Sequence, residues 1–310
     1  MTEQQYRLVT RSDFDGLVCA VLLKKLDLIN DIKFVHPKDM QDGKIDITDH
    51  DIVTNLPYVG DAYLVFDHHH SETVRNAANH FNHIIDPKAP SAARVVWEYY
   101  GGLDVFPEQW LEMMTAVDKG DSAQFSRDEV LDSTGWNLLN FLMDARTGLG
   151  RFRDFRISNY SLMMDLIDYC SDHSIEEILA LPDVRERIAL YREHENMFKD
   201  QLQRCAAVYG NVVVLDLTTE EVIYAGNRFI VYALFPQCNV SIHKMWGVQK
   251  QNIVFATGKS IFDRSLRTNI GELMLRYGGG GHTAAGTCQI PIERASEVEQ
   301  ALIEHLTRTV

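Results

Sequence analysis

The sequence predicts an α/β protein in which a larger domain with a mostly parallel, helix-flanked sheet is joined through a helical linker to a smaller C-terminal α/β domain. Three observations predict it. Short β-rich runs alternate with helical patterns over the first hundred residues. A mainly helical stretch follows from about Phe106 to Arg204, and strand-like runs then return with helices among them. Alternation of this kind signals parallel strands, because neighbours running the same way need a crossover between them. The pattern change places the domains at residues 1–183 and 206–310, with a linker over 184–205.

The elements follow in order. Tyr6 to Thr10 reads as a strand, residues Leu17 to Leu26 as a helix, and Ile32 to Val35 and Ala62 to Phe66 as further strands. His83 to Ile85 leads through Asp86, Pro87 and Pro90 into a helix capped by Ser91 and closed by Gly101 and Gly102. The charged stretch from Val184 to Arg204 is expected to be one helix. Beyond it, strands are expected at Ala207 to Leu217, Val222 to Tyr224, Val240 to His243 and Ile253 to Ala256, with helices at Asn269 to Tyr277 and Ala295 to Thr307.

Bulk composition narrows the function. With 45% hydrophobic and 24% charged residues the chain can build ordinary cores. Its net charge of -14 argues against tracking long nucleic acid, which depends on many Lys and Arg side chains displacing counterions. A short anionic substrate, neutralised locally, remains compatible. The five cysteines are scattered, without a CxxC pair, and suggest neither a disulfide framework nor a structural zinc site. No basic, apolar leader opens the chain and no run approaches a membrane span, so a cytoplasmic protein without a membrane partner is expected.

Chemistry is concentrated in a few segments. Ser12-Asp13-Phe14-Asp15-Gly16 follows an apolar strand directly, and in extended backbone Asp13 and Asp15 would face the same side of one crevice. Phe66-Asp67-His68-His69-His70 closes another strand with an acid followed by imidazoles, the commonest transition-metal ligands. Thr48-Asp49-His50-Asp51 and Ala116-Val117-Asp118-Lys119-Gly120-Asp121 offer further carboxylates, though acids at element ends are commonly solvated caps. Carboxylates mixed with histidines suit Mn²⁺, with Mg²⁺ or Co²⁺ as alternatives, and the acids suffice for two ions. Far along the chain, Gly278 to Gly281 followed by His282 could bring backbone N–H groups close to an anion. Arg264 and Arg267 just upstream could clamp phosphate.

The ordered set Asp13-Phe14-Asp15-Gly16, Asp67-His68-His69, Asp118 and Gly279-Gly280-Gly281-His282 resembles the DHH phosphoesterases that carry a DHH-associated C-terminal domain. The resemblance spans nearly the whole chain. It implies metal ligation by Asp13, Asp15, Asp67, His68 and Asp118, with a further acid from the second motif, Asp51 first and Asp49 second. It implies that Asp67 and His69 serve catalysis. Gly279, Gly280, Gly281 and His282, with Arg264 and Arg267, would bind the substrate's far end. One departure stands out: Arg11 occupies a position where many relatives have His, and a guanidinium has no lone pair for a metal. Two consequences are open: one metal site is weakened, or Arg11 contacts a phosphate instead, and either His50 or His70 could substitute as ligand.

Compactness and acidity favour a linear dinucleotide of the pGpG or pApA type, or very short RNA, cleaved to mononucleotides, over long duplexes. The alternatives are an exopolyphosphatase or pyrophosphatase-like hydrolase using the same metals, and a catalytically silent nucleotide-binding module. A homodimer is compatible with each.

Overall fold

The computed structural model describes residues 4–69, 72–73 and 80–307. The chain divides into two compact units, Met1–Phe125 with Ser133–Ala189, and Ser126–Asp132 with Leu190–Val310. The first unit holds strands β1 (Tyr6–Arg11), β2 (Ile29–Val35), β3 (Asp51–Thr54), β4 (Leu64–Asp67) and β5 (His83–Ile85). Its helices are α1 (Phe14–Lys25), α2 (Pro37–Gln41), α3 (Ala92–Tyr99) and α4 (Leu111–Ser122). After the short α5 (Arg127–Leu131), which belongs to the second unit, come α6 (Gly135–Met143), α7 (Asn159–Asp172) and α8 (Ile175–Ala180). Helix α9 (Pro182–Arg204) begins in the first unit and ends in the second.

The first sheet has the order β2-β1-β3-β4-β5, with every pairing parallel, as the alternation of strands and helices predicts. Side chains alternate across it. Val9, Val53 and Val65 join Val35, Met40, Leu56 and Ala62 in one core layer. A buried threonine pair also ties β1 to β3: Thr54 Oγ1 donates to Thr10 Oγ1 at 2.7 Å, and Thr10 Oγ1 donates to the Thr54 carbonyl at 3.1 Å.

Helix α1 lies at the centre of this unit, packed against α3, α4 and α7. Every residue from Phe14 to Leu23 is buried, the mark of a helix apolar on all sides. Each fully buried Phe, Leu or Val there contributes about 1.5–3 kcal/mol. The helix begins at Phe14 rather than near Leu17 because Asp13, in extended backbone, caps it by accepting the Gly16 N–H at 3.0 Å.

The second unit carries β6 (Ala206–Tyr209), β7 (Val212–Asp216), β8 (Val240–Trp246), β9 (Ile253–Lys259), β10 (Gly280–His282) and β11 (Ala285–Ile290). They form a mixed sheet in the order β10-β11-β9-β8-β7-β6. Helices α10 (Ile230–Leu234), α11 (Ile270–Leu275) and α12 (Ala295–Thr307) complete it. Val214, Ile242, Phe255, Ile270, Val298 and Leu302 share its core.

Two expectations need correction here. The run Ala207 to Leu217 is a hairpin, turned at Gly210 with φ +60°. Val222 to Tyr224 is irregular, because the buried Gln201 side chain satisfies its backbone, donating to the Val222 carbonyl at 2.7 Å and accepting from Tyr224 N–H at 3.1 Å. Within the glycine-rich run, Gly280–His282 is an edge strand paired with Ala285–Thr287.

Gly16 makes the tight β1–α1 junction possible. A Cβ there would lie 2.0 Å from the Arg11 carbonyl oxygen, and backbone cannot yield as a side-chain tip would. Gly16→Ala is expected to destabilise the protein by about 3 kcal/mol or more in urea unfolding, the upper range for overpacking. Gly60→Ala, whose Cβ would meet only the Tyr58 hydroxyl at 3.7 Å, should stay within about 1 kcal/mol of wild type.

Candidate metal centre

Parallel strands bring their carboxyl ends to one edge, and that edge collects the chemistry. Strand β1 delivers Arg11 and Asp13, β3 delivers Asn55, and β4 delivers Asp67, His68 and His69. Asp15 follows in the first turn of α1, and Asp121 comes from the last turn of α4.

Asp15, His68 and Asp121 form the one group of metal-type donors among the described residues, each offering an atom within 4.8 Å of the others. Asp15 is buried and spans the start of α3, with Oδ2 accepting from Ala92 N–H at 3.0 Å and Oδ1 from Ala93 N–H at 2.8 Å. The unpaired amides and dipole of a helix N-terminus hold a carboxylate there. The Nδ1 of His68 bonds the Ala89 carbonyl at 3.2 Å, which turns Nε2 toward Asp121 Oδ2 at 2.8 Å. That is the usual second-sphere arrangement of a metal-binding imidazole. Despite the short ion-pair contact, His68 Nε2 has no aligned hydrogen bond, and Asp67 Oδ2 is likewise buried without one among the described residues. Two oxygens, one imidazole nitrogen and unsatisfied buried lone pairs fit a divalent first-row cation.

The electrostatics agree with that fit. Burial and then the neighbouring Asp121 push the Asp15 carboxyl up to about 7. Burial opposes the charge on His68, but its pairing with Asp121 and the fields of Asp15 and Asp67 win and raise it to about 9. Burial also acts against the Asp121 anion, yet His68 outweighs it and lowers Asp121 to about 2. Three acids thus share a small space around one imidazolium, an excess of negative charge that a dication would neutralise.

The other sequence-predicted residues divide sharply. Asp67 is fully buried, its Oδ1 accepting from the backbone N–H groups of His68 at 2.8 Å and His69 at 3.2 Å, and bonding His69 Nδ1 at 2.7 Å. Asp13 caps α1 rather than extending the strand, so the crevice geometry expected for Asp13 and Asp15 comes from a helix start and not from a two-residue period. Arg11 Nε lies 2.9 Å from Asp13 Oδ2.

Asp51 is not brought to this edge. It opens β3 opposite Arg7, three residues before Thr54, hence about 10 Å toward the amino ends of the strands. Arg7 binds it at 2.6 and 3.0 Å, and Thr48 N–H donates to it at 2.7 Å. Asp49 and His50 lie in the exposed segment just before it and cannot substitute. The residue that does follow β3 into the site is Asn55, whose Nδ2 donates to Asp13 Oδ1 at 3.2 Å.

Asp118 is also displaced from the predicted role. Arg94 grips it at 3.0 and 2.5 Å, and Ser91, the cap of α3, donates to it at 2.7 Å. It braces the same helix start that holds Asp15. Asp121, one helical turn later, is the acid that joins Asp15 and His68 in the donor group; acids at i and i+3 share one helix face, so spacing alone does not separate them. Arg146, not singled out from sequence, is paired with Asp144, and its charge acts on Asp13 and Asp121. His70 lies outside the described residues.

Arg264, Arg267 and Gly279 to His282 all belong to the second unit. Both arginines are exposed, on either side of the buried Leu266. Gly279 and Gly281 have packing reasons of their own: Cβ atoms there would meet the Thr287 and Ala285 carbonyl oxygens at 2.0 and 2.2 Å. No helix among the described residues is long and apolar enough to cross a membrane.

Fold and site together place a candidate metal centre at the carboxyl edge of a parallel sheet, and known structures define the class of protein. A pGpG-specific phosphodiesterase, PggH from Vibrio cholerae, is 73% identical, with 99% of this chain and 100% of that one covered and a TM-score of 0.87. The chain belongs to the DHH family of phosphoesterases. CDC45 from Entamoeba histolytica shares the fold at 9% identity, with 98% and 96% of the two chains covered and a TM-score of 0.50. RecJ from Thermus thermophilus, solved with Mn²⁺, is 15% identical over 99% of this chain and 53% of its own, with a TM-score of 0.44, too loose a likeness to bear on function. No protein-family model and no curated protein sequence matches the chain.

A metal must displace protons here, and the sign of the pH dependence follows. The His68 proton, held up to about 9 in the metal-free fold, is released on binding. Affinity for Mn²⁺ should therefore rise about tenfold per pH unit from pH 7 toward 9. Below about 7, where Asp15 also begins to carry a proton, the dependence should steepen. Calorimetry in buffers of different ionisation enthalpy counts the released protons; affinity independent of pH would contradict the assignment. Asp121→Asn should weaken binding far more than Asp118→Asn, for which about a tenfold loss is expected of a supporting group.

Proposed function

We propose that the chain hydrolyses the linear dinucleotide pGpG to two molecules of GMP, consuming one water at the internucleotide phosphodiester. The observation that carries this reading is the full-length, 73% identical likeness to the pGpG-specific phosphodiesterase PggH. The proposed centre is Asp15, His68 and Asp121 around a divalent cation, manganese as first choice, with Asp67 beside it. Such a cation supplies Lewis acidity, lowering the pKa of a coordinated water and neutralising charge on the phosphate.

The chain's own groups do the rest. Asp67 fixes the His69 ring through Nδ1, a 2.7 Å contact. Burial alone would lower the His69 pKa, but the Asp67 carboxylate outweighs it and the shift is upward. A protonated imidazole so placed serves as general acid to the departing 3′ oxygen. Arg11 offers a guanidinium to phosphate. In the second unit, Arg264, Arg267, the backbone of Gly279 to Gly281 and His282 are proposed to bind the far nucleotide, within a substrate-binding domain over residues 206–310. The net charge of -14 supports a short substrate over a long one and is compatible with a cytoplasmic enzyme.

The test is incubation with Mn²⁺ and separate samples of pGpG, pApA, a five-residue RNA, pyrophosphate and polyphosphate. GMP should accumulate from pGpG and not with His68→Ala. Phosphate released only from polyphosphate or pyrophosphate would replace this reading with a phosphoanhydride hydrolase. His69→Ala should lower kcat by about 10²–10⁴-fold, the range for a lost general acid, while metal content stays at the wild-type value.

A further inference from the structure

The carboxyl edge of the sheet carries a second acidic position, and what surrounds it is unlike the first. Around Asp15, the donors His68 and Asp121 converge. Around Asp13 no such group converges among the described residues. Its Oδ2 faces Arg11 Nε at 2.9 Å, and its Oδ1 accepts both from Asn55 Nδ2 at 3.2 Å and from the α1 amide of Gly16 at 3.0 Å. A guanidinium cannot ligate a metal, and its fixed positive charge repels a dication at the very carboxylate that would bind one. Asn55 adds a neutral amide at the end of β3, where a carboxylate would have supplied charge. Its backbone sits in the left-handed region, φ 54°, and its N–H bonds the Phe66 carbonyl at 3.1 Å. The Asn55 backbone is thereby fixed between β3 and β4, while its side chain is held through Nδ2 on Asp13, with Oδ1 buried and without a hydrogen bond among the described residues.

We infer that this chain binds one divalent cation, at Asp15, His68 and Asp121, and that Arg11 clamped on Asp13 occupies the adjoining position as a built-in positive charge in place of a second ion. The inference rests on the proposed metal centre and departs from the sequence-based expectation of two ions. It also accounts for Arg11: its charge neutralises Asp13 in the resting protein and lies beside the site where substrate phosphate would be bound. A cation that is part of the chain does not depart when divalent metal is scarce, so occupancy of the centre should depend on a single binding step.

The experiment is a metal count. The full-length protein is equilibrated with Mn²⁺, desalted and assayed for manganese per chain by mass spectrometry, with low-temperature EPR on the same sample. One equivalent and the hyperfine sextet of an isolated Mn²⁺ are expected. Two equivalents with an exchange-coupled spectrum would overturn the inference while leaving the metal centre standing; no bound manganese would overturn both. The double variant Arg11→His, Asn55→Asp should gain a second equivalent and the coupled spectrum. If that variant folds, as shown by an unchanged circular dichroism spectrum, and still holds one ion, the roles given to Arg11 and Asn55 are wrong. If it does not fold, the wild-type count decides by itself.

Discussion

The hydrogen bonds from the first two amides of α3 to the Asp15 carboxylate are the contact on which the rest of the site depends. Ala92 and Ala93 donate to its two oxygens, so a buried acid is held without a side-chain cation. This one contact ties α1, the central helix, to the helix that crosses over after β5. It also explains the second tier of residues. Ser91 caps α3, Arg94 extends from its first turn, and Asp118 binds both. The helix start is thereby fixed from α4, the same helix that presents Asp121 one turn further on.

Burying several acids together is costly, since two unit charges 4 Å apart interact by about 4 kcal/mol at an effective dielectric of 20. The protein meets that cost locally. His68 carries a proton toward Asp121, Arg11 faces Asp13, and Arg146 adds its field to both acids. Asp67 is treated differently: one oxygen meets three nitrogens and the other has no hydrogen bond among the described residues. The arrangement offsets most of the buried charge yet leaves Asp67 Oδ2 without a hydrogen bond among the described residues, a group that gains from a bound ion.

In the second unit, close packing and chemistry overlap in the glycine-rich run. Gly279 and Gly281 are required by the approach of β11, and Gly271 by the approach of the Gly281 carbonyl, where a Cβ would lie 2.5 Å away. Gly278 and Gly280 both have open space around the Cβ position, but Gly278 sits at φ +76°, so Gly280 is the glycine of the run that neither packing nor backbone conformation explains.

Much of this was legible in sequence. Strand-to-helix alternation determined a parallel sheet, and parallel strands necessarily gather their carboxyl ends, so the sequence alone puts the Asp13, Asp15 and Asp67-His68-His69 segments on one edge. The spacing of acids within a segment was not enough. Whether Thr48 to Asp51 leads into a strand or out of one decides which edge Asp51 occupies, and that is set by pairing with Arg7 on β1. Likewise Asp118 and Asp121 differ by one helical turn, and only the packing of α3, which brings Arg94 to Asp118, leaves Asp121 for His68. The role of Asn55 was invisible for the same reason. The sequence by itself determined which segments carry the chemistry, because strand and helix periods are local properties of the chain. Which side chain in each segment faces the crevice was decided by tertiary structure, because charges choose partners across elements that are distant in sequence.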